Sequence, residues 1–401
     1  MQIQYVVIIG SSRLPNMSAH GVRLAHLSAA FAQLGIETLL ICKNNDKIEK
    51  DFFSYYDVEK NFTIKKIDFQ KVGDRFSKFP FLNKIGYKIE HYLWSDKVKN
   101  ICQKSSRNTL FITDSCFQAW LLSKNGMRTL LEIHCIPGKI SLQWLKRFTK
   151  TKGFAGIVTL TESMKYFMID SFKMGQDKIA IIHSAFDPKK FEDLPTKEDA
   201  RARLDLPLDV PIIGYIGRFK PMGIEKGIPQ LIEAVAKMQK KRRVILFCAG
   251  GPLEYEEHYR GIASKFGLTD SNFVLKGYIP HADIPLHICA CDILPINWDD
   301  IPELNLAASP MKMFEYMAAG GCIVASRIPS LNCVLKDKIN SLLVQPGNIQ
   351  CLVNAFEEIL NSKVISDTIS KNARIDAFAN YTWQARAQKM LTHAKNILGV
   401  S

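Results

Sequence analysis

Two stretches carry residue types that can do chemistry together. The first runs Gly214-Tyr215-Ile216-Gly217-Arg218-Phe219-Lys220-Pro221-Met222-Gly223-Ile224-Glu225-Lys226-Gly227. A short apolar run ends at Gly217-Arg218, and Lys226 immediately precedes Gly227, where a helix is predicted to start. Two cations beside the free backbone N–H groups of a helix start suit a pyrophosphate. The flanking glycines permit close backbone approach. If a bond to that pyrophosphate breaks, negative charge develops on the leaving group, and fixed cations aimed there lower the barrier without a metal.

The second stretch is Ser309-Pro310-Met311-Lys312-Met313-Phe314-Glu315-Tyr316-Met317-Ala318-Ala319-Gly320-Gly321. Ser309 reads as an N-cap and Pro310 as part of the first helical turn. Lys312 falls in that turn, where the helix dipole disfavours a cation and a bound anion would remove the cost. Glu315, one turn on, can accept hydrogen bonds from both hydroxyls of a ribose. The plain alternatives are solvated cations at Arg218 and Lys226 and an ordinary Lys312–Glu315 pair at i,i+3. Taken together, the two stretches point to a nucleoside diphosphate carrying a sugar.

A third constellation is Leu130-Leu131-Glu132-Ile133-His134, an apolar strand ending in an acid and a histidine. A neutral His134 at the strand's carboxyl end can hydrogen-bond a sugar hydroxyl. Strand alternation is read as turning Glu132 the other way, as a structural partner or acceptor-side residue. The polar loop Gly10–His20 offers Asn16, Ser18 and His20 as weaker acceptor-side candidates. Lys71–Trp94 interleaves Lys and Arg with Phe, Tyr and Trp, a composition that suits a membrane surface or a helix packed on its own domain.

These residues need elements to hold them. Tyr5–Ile9, Ile36–Cys42, Thr109–Thr113, Arg128–His134 and Gly156–Thr159 read as short buried strands, with helical spacing over Gly21–Leu34 and Gly35 at its C-terminal end. A second alternating series follows at Pro211–Ile216, Arg243–Gly250, Phe273–Lys276, Ile293–Ile296 and Ile323–Ala325. Buried strands alternating with helices predict parallel sheets covered on both faces. The polar stretch 194–211, with its three prolines, reads as a linker. The fold class expected is therefore α/β, with two Rossmann-like domains, 1–200 and 201–380, facing each other across a cleft at the strands' carboxyl ends. The last helix, 383–401, is free to pack back on the first domain.

The 401 residues exceed what one core usually serves, and the 47% apolar and 23% charged content is that of a globular protein. No apolar run is long enough for a membrane span. The N-terminus has no basic leader, so the expected location is the cytoplasm, with contact at the inner face of the cytoplasmic membrane left open. The net charge of +14 favours anionic partners. No nucleic-acid-binding signature accompanies it, which leaves phosphorylated small molecules and anionic lipid. The ten cysteines show no zinc spacing and read as buried reduced thiols.

Over nearly its whole length the chain resembles the GT-B glycosyltransferases of family 4, the retaining group with two Rossmann-like domains. The likeness rests on several passages. Glu132-Ile133-His134 resembles the family's E-x-H strand end, and Gly217–Gly227 its G-R…E-K-G motif. Ala249-Gly250-Gly251-Pro252 resembles its G-x-G-P turn, and Gly277-Tyr278-Ile279-Pro280 its G-y-v-p passage. Ser309–Ala325 resembles the S-P-x-K-x-x-E-Y-M-A-A-G variant of its acidic motif, and Tyr381-Thr382-Trp383 the opening of its C-terminal helix.

The resemblance implies that Arg218 and Lys226 hold the donor diphosphate, with Gly217, Gly250, Ser309, Pro310, Met311 and Lys312 around them. It also implies that Glu315 binds the ribose and that His134 lies near the anomeric centre. Transfer would retain configuration and need no metal or other cofactor, only a UDP-sugar, GDP-sugar or similar co-substrate. The acceptor would be a glycan, a lipid-linked intermediate or a lipopolysaccharide-type molecule. One departure stands out: a second Glu, common eight positions before the ribose Glu, is here Ala307. Backbone N–H groups around Leu306–Ser309, or Glu303, are the candidates to replace it. The rival readings are a sugar-nucleotide epimerase of the same fold and a non-catalytic nucleotide-sugar-binding scaffold.

Overall fold

The computed structural model describes residues 2–68, 80–220 and 223–400. Within the basic-aromatic stretch 71–94, residues 71–79 lie outside the described residues. The chain divides into two compact units, Met1–His183 with Trp383–Ser401, and Ser184–Thr382.

The first unit is built on strands β1 (Tyr5–Leu14), β2 (Glu37–Asn44), β3 (Thr63–Ile67), β4 (Thr109–Thr113), β5 (Arg128–Ile133), β6 (Phe154–Thr159) and β7 (Ile179–Ile181). They form one sheet in the order β3-β2-β1-β4-β5-β6-β7, with every pair parallel. The central strands β4 and β5 are buried almost throughout because helices cover both faces, so no burial alternation marks them and even Glu132 is enclosed. Ser18 caps the helix Ala19–Gln33 by accepting from the Gly21 N–H at 3.1 Å, and Gly35, at φ +77°, follows its C-cap. The helix Trp383–Leu398 packs against Ala19–Gln33 and β6, with Trp383 stacked on His26 at 5.9 Å.

The second unit carries β8 (Ile212–Ile216), β9 (Ile245–Ala249), β10 (Phe273–Lys276), β11 (Leu294–Ile296), β12 (Ile323–Ser326) and β13 (Leu342–Val344). They form two parallel ribbons, β10-β9-β8 and β11-β12-β13, joined by a bridge between Ile213 and Ile293. Successive residues alternate between two cores. Ile213, Tyr215, Leu246 and Cys248 enter one, and Ile212, Ile216, Ile245 and Phe247 enter the other.

The polar stretch 194–211 is not a linker. It holds the helix Lys197–Leu204, which Thr196 caps, and its Arg201 is buried against Asp292 at 2.5 Å and the Ala290 carbonyl at 3.0 Å. Polar composition misleads here because a buried ion pair looks like a solvated one in sequence. The chain passes between units at His183–Ser184 and again at Thr382–Trp383. Among the described residues, no helix is long and apolar enough to cross a membrane. None of the cysteines forms a disulfide; Cys42, Cys102, Cys248, Cys291 and Cys322 are buried as expected, but Cys116, Cys289, Cys333 and Cys351 are only half-buried and Cys135 is exposed.

Candidate functional site

In the second unit the carboxyl ends of β8 and β9 meet through glycine. Gly217, at φ +146°, donates its N–H to the Ala249 carbonyl at 2.8 Å. Gly250, at φ +128°, lies so close that a Cβ on it would stand 2.5 Å from the Gly217 oxygen. Arg218 follows with an exposed side chain, while its carbonyl accepts from the Tyr215 hydroxyl at 2.7 Å.

Gly227 is the N-cap of the helix Ile228–Met238, in the left-handed region at φ +85°. Asn297 donates to its carbonyl at 2.7 Å, and a Cβ at Gly227 would collide with the Asn297 carbonyl oxygen at 2.2 Å. Among the described residues, no side chain caps this helix or the helix Met311–Ala318. Their leading N–H groups are therefore available to an acceptor from outside the protein.

The lysines lie on aromatic faces. Lys226 is only 8% exposed, and its Nζ sits 4.2 Å from the Trp298 ring centroid. Burial pushes its pKa down to about 8, partly opposed by Glu225. Glu225 is fixed in turn by the Tyr259 hydroxyl at 3.0 Å and the Lys226 N–H at 2.9 Å. Lys312 Nζ lies 3.7 Å from the Tyr215 ring centroid and 5.9 Å from that of Trp298. It is buried and has no hydrogen-bond partner among the described residues. Burial and the charge of Lys226 hold it well below the usual lysine range. Moving a lysine from 10.5 to about 8 corresponds to about 3 kcal/mol against its charged form. A bound anion would remove that penalty.

Glu315, one turn beyond Lys312, is pushed up to about 7 by burial, with Lys190 and Lys312 opposing. Ser309 does not cap this helix. Pro310 occupies the N-cap, and the Ser309 hydroxyl accepts the Ser184 N–H at 3.0 Å, tying the helix start to the start of the unit. An exposed cap serine and one enlisted by a distant N–H are indistinguishable in sequence. Ala307 is buried, and Glu303 is exposed on the short helix Pro302–Ala307.

The first unit holds a separate polar cluster. Glu132 is buried, with one oxygen taken by Arg23 and the other by Arg386. Residues two apart on a strand share a face, and the His134 Nε2 is 3.7 Å from the Glu132 Oε2. The expectation that Glu132 turns the other way is therefore corrected, and with its oxygens taken it is a structural partner. Burial would raise its pKa, but the two guanidiniums outweigh this and hold it well below the usual range. His134 is lowered by burial and then by Arg23, which favours neutral imidazole.

Asp114 accepts from His20 Nε2 at 2.6 Å and from Arg23 at 2.7 Å, and the Ser12 hydroxyl meets His20 Nδ1 at 2.8 Å. Asn16 and Ser18 are spent locally. The Asn16 amide oxygen accepts from the Ser18 N–H at 2.9 Å, and Ser18 caps the helix. Sequence reading missed Trp298, Asp114, Arg23 and Arg386. The first two had a signal, since each lies within two residues of the carboxyl end of a buried strand. Among the described residues, no cluster of three His, Cys, Asp or Glu could hold a metal.

Residues 196–376 match the family model described as glycosyl transferases group 1. The 2-deoxystreptamine glucosyltransferase of Streptomyces kanamyceticus is 29% identical over 52% of this chain and 51% of its own length. The D-inositol 3-phosphate glycosyltransferase of Stackebrandtia nassauensis is 25% identical over 59% and 52%. The chain thus spans about half the length of these curated relatives. Among solved structures, a glycosyltransferase from Rickettsia africae superposes with a TM-score of 0.74 at 18% identity, covering 99% of each chain. Anabaena HepE in complex with UDP gives 0.71 at 16% identity, covering 97% of this chain and 98% of its own. The fold is GT-B. The family match covers nearly the whole second unit, including the Gly217–Gly227 loop and the Lys312 helix.

Proposed function

We propose that the protein is a metal-independent, retaining glycosyltransferase that takes a sugar from a nucleoside diphosphate and passes it to an acceptor hydroxyl. The observation that carries this reading is the pair of buried lysines, Lys226 and Lys312, held on Trp298 beside two uncapped helix starts. An anion with two linked phosphates fits that chemistry better than a single carboxylate, because two ammonium groups and two sets of N–H donors need neutralising.

In this reading, Lys226, Lys312 and Arg218 stabilise the charge that develops on the diphosphate as its bond to the anomeric carbon breaks. Gly217 and Gly250 keep the strand ends free of side chains, so the backbone reaches the phosphates. Glu315 accepts from the ribose hydroxyls. The sugar leaves with its configuration retained, the acceptor hydroxyl attacks from the face of the departing phosphate, and that phosphate takes the acceptor's proton. His134, kept neutral by burial and by Arg23, donates to or accepts from a sugar hydroxyl. The first unit serves the acceptor. HepE was solved with UDP, which makes UDP-sugars the first donors to try. A lipid-linked or polysaccharide acceptor fits the basic charge, as does peripheral contact with an anionic membrane.

The experiment is release of nucleoside diphosphate from UDP-, GDP- and ADP-sugars in the presence of a chelator, with the product's anomeric configuration read by NMR. Turnover that survives chelation, disappears in Lys226→Ala and yields the donor's own anomeric configuration supports the reading. A product of inverted configuration, or turnover that needs added metal, contradicts it. Ala307, where an acid would grip the donor sugar, favours a second reading as a nucleotide-sugar-binding protein. Tight donor binding with no cleavage on any acceptor would select that one.

A further inference from the structure

Trp298 stands just beyond the carboxyl end of β11 and is only 3% exposed. Its ring belongs to the core cluster that also holds Ile296, Leu304 and Met313. Packing accounts for the ring but not for its polar edge. The Nε1–H is buried and has no hydrogen-bond partner among the described residues. A buried indole N–H normally finds an acceptor, because leaving it without one costs free energy.

The polar groups against this ring have the wrong character to satisfy it. The ammonium groups of Lys226 and Lys312 reach the ring at 4.2 and 5.9 Å from its centroid. An ammonium group only donates. Lys312 is itself buried with no hydrogen-bond partner among the described residues. The neighbouring Asn297 spends its amide nitrogen on the Gly227 carbonyl at 2.7 Å, and its Oδ1 is unpartnered. One side chain thus gathers three donor groups and no acceptor. The π-cloud of an indole attracts cations and its N–H edge attracts anions, so the same residue can serve both. A ligand that satisfies all three donors must accept at several oxygens, as a phosphate does and a single hydroxyl does not.

We propose that Trp298 binds the ligand directly, its Nε1–H donating to a phosphate oxygen of the nucleoside diphosphate while its ring holds the two lysines against that diphosphate. The unpartnered Asn297 Oδ1, an acceptor, is left to a hydroxyl of the same ligand. The assignment rests on the donor reading above and adds to it an uncharged donor that keeps its proton at every working pH.

The test is an NMR titration of the full chain labelled with nitrogen-15 tryptophan. The chain has five tryptophans, so five indole N–H signals are expected, and the one missing from Trp298→Phe belongs to Trp298. Saturation with UDP, or with inorganic pyrophosphate, should move that signal downfield, and uridine should leave it in place. Trp298→Phe keeps an aromatic ring under the lysines and removes only the N–H donor. It should bind UDP about tenfold more weakly, the loss expected of one hydrogen bond to a charged group. Its affinity should still fall above about pH 8, where Lys226 loses its proton. If Trp298→Phe does not fold, phenylalanine at each of the other four tryptophans assigns the signal by elimination, and the UDP response is read on the unaltered chain.

UDP bound at saturation with the Trp298 signal unmoved would overturn the proposal. An equal movement with uridine would do so too, because it would put the N–H on the nucleoside. So would undiminished UDP affinity in a folded Trp298→Phe protein, or a weakened affinity that no longer depends on pH, which would make the ring a holder of Lys226 and nothing more. Each of these leaves the donor reading standing, since UDP still binds. Absence of binding by both UDP and pyrophosphate sinks the donor reading and this inference with it.

Discussion

Lys226 and Lys312 both reach the ring of Trp298: their ammonium groups lie 4.2 and 5.9 Å from its centroid. They come from different βα segments, one following β8 and the other following β11. Two like charges buried together, with Lys312 lacking any hydrogen-bond partner among the described residues, make an arrangement that a bound anion stabilises. The donor reading turns on this pair.

Lys226→Ala should weaken UDP binding by about 10- to 100-fold, the loss expected for a charge-assisted contact of about 1.5–3 kcal/mol. The free protein should melt at the same temperature or higher, because its buried ammonium is removed. Calorimetric titration and a thermal melt of the same variant measure both. A variant that is less stable and binds UDP normally would make Lys226 a structural residue.

The affinity for UDP should depend on pH through Lys226. Its pKa in the free protein is about 8, and a bound diphosphate favours the charged form, so binding takes up a proton as pH rises through 8. Affinity should therefore fall above about pH 8, and Lys226→Arg should flatten that fall. For the free protein the sign is opposite. The unfolded chain holds this proton up to 10.5 while the folded chain releases it near 8, so the contribution of Lys226 to stability rises with pH across that window. Titrations in buffers of different ionisation enthalpy report the proton uptake directly.

Glu132→Ala should destabilise the first unit by about 3–5 kcal/mol, because Arg23 and Arg386 are left buried without their shared counter-charge. Since the Glu132 carboxyl is depressed in the fold, its contribution is present above the unfolded value of 4.5 and is lost as pH falls through the lower folded value. Denaturant melts at neutral and acid pH follow both effects. A loss below about 1 kcal/mol would show that the network relaxes around the gap.

Gly250→Ala should damage the donor loop. The new Cβ meets the Gly217 carbonyl oxygen at 2.5 Å, and φ of +128° is strained for any side chain. Strain of about 1–3 kcal/mol is expected before any backbone clash, with UDP binding lost. Normal UDP affinity in a folded Gly250→Ala protein would remove the close approach of β8 and β9 from the account.

Much of this was legible in the sequence, for identifiable reasons. The buried strands announced themselves as short apolar runs between helical patterns, and Gly217, Gly227, Lys226 and Lys312 stood at the ends of such runs. Trp298 did not, because an aromatic after a strand looks like any core residue until two lysines are seen against it. The 194–211 segment was misread because Arg201 and Asp292 are 91 residues apart and pair only in the fold. Glu132 and His134, two residues apart, share one side of the strand end, with 3.7 Å between the Glu132 Oε2 and the His134 Nε2. The cap at Ser309 failed because its hydroxyl is claimed by Ser184, 125 residues away. What stayed hidden was long-range polar pairing, which local pattern does not encode.

The most direct measurement is a thermal-shift screen of the protein and of Lys226→Ala against UDP, GDP, ADP and their sugars, in chelator. A ligand that binds the folded state alone raises the melting temperature, by about 2.7 kcal/mol of stability at one hundred times its Kd. The account predicts that one nucleotide and its sugar stabilise the protein well above the others, and that Lys226→Ala loses the effect. No shift with any of them at concentrations far above the millimolar range would contradict a donor site built on Lys226 and Lys312.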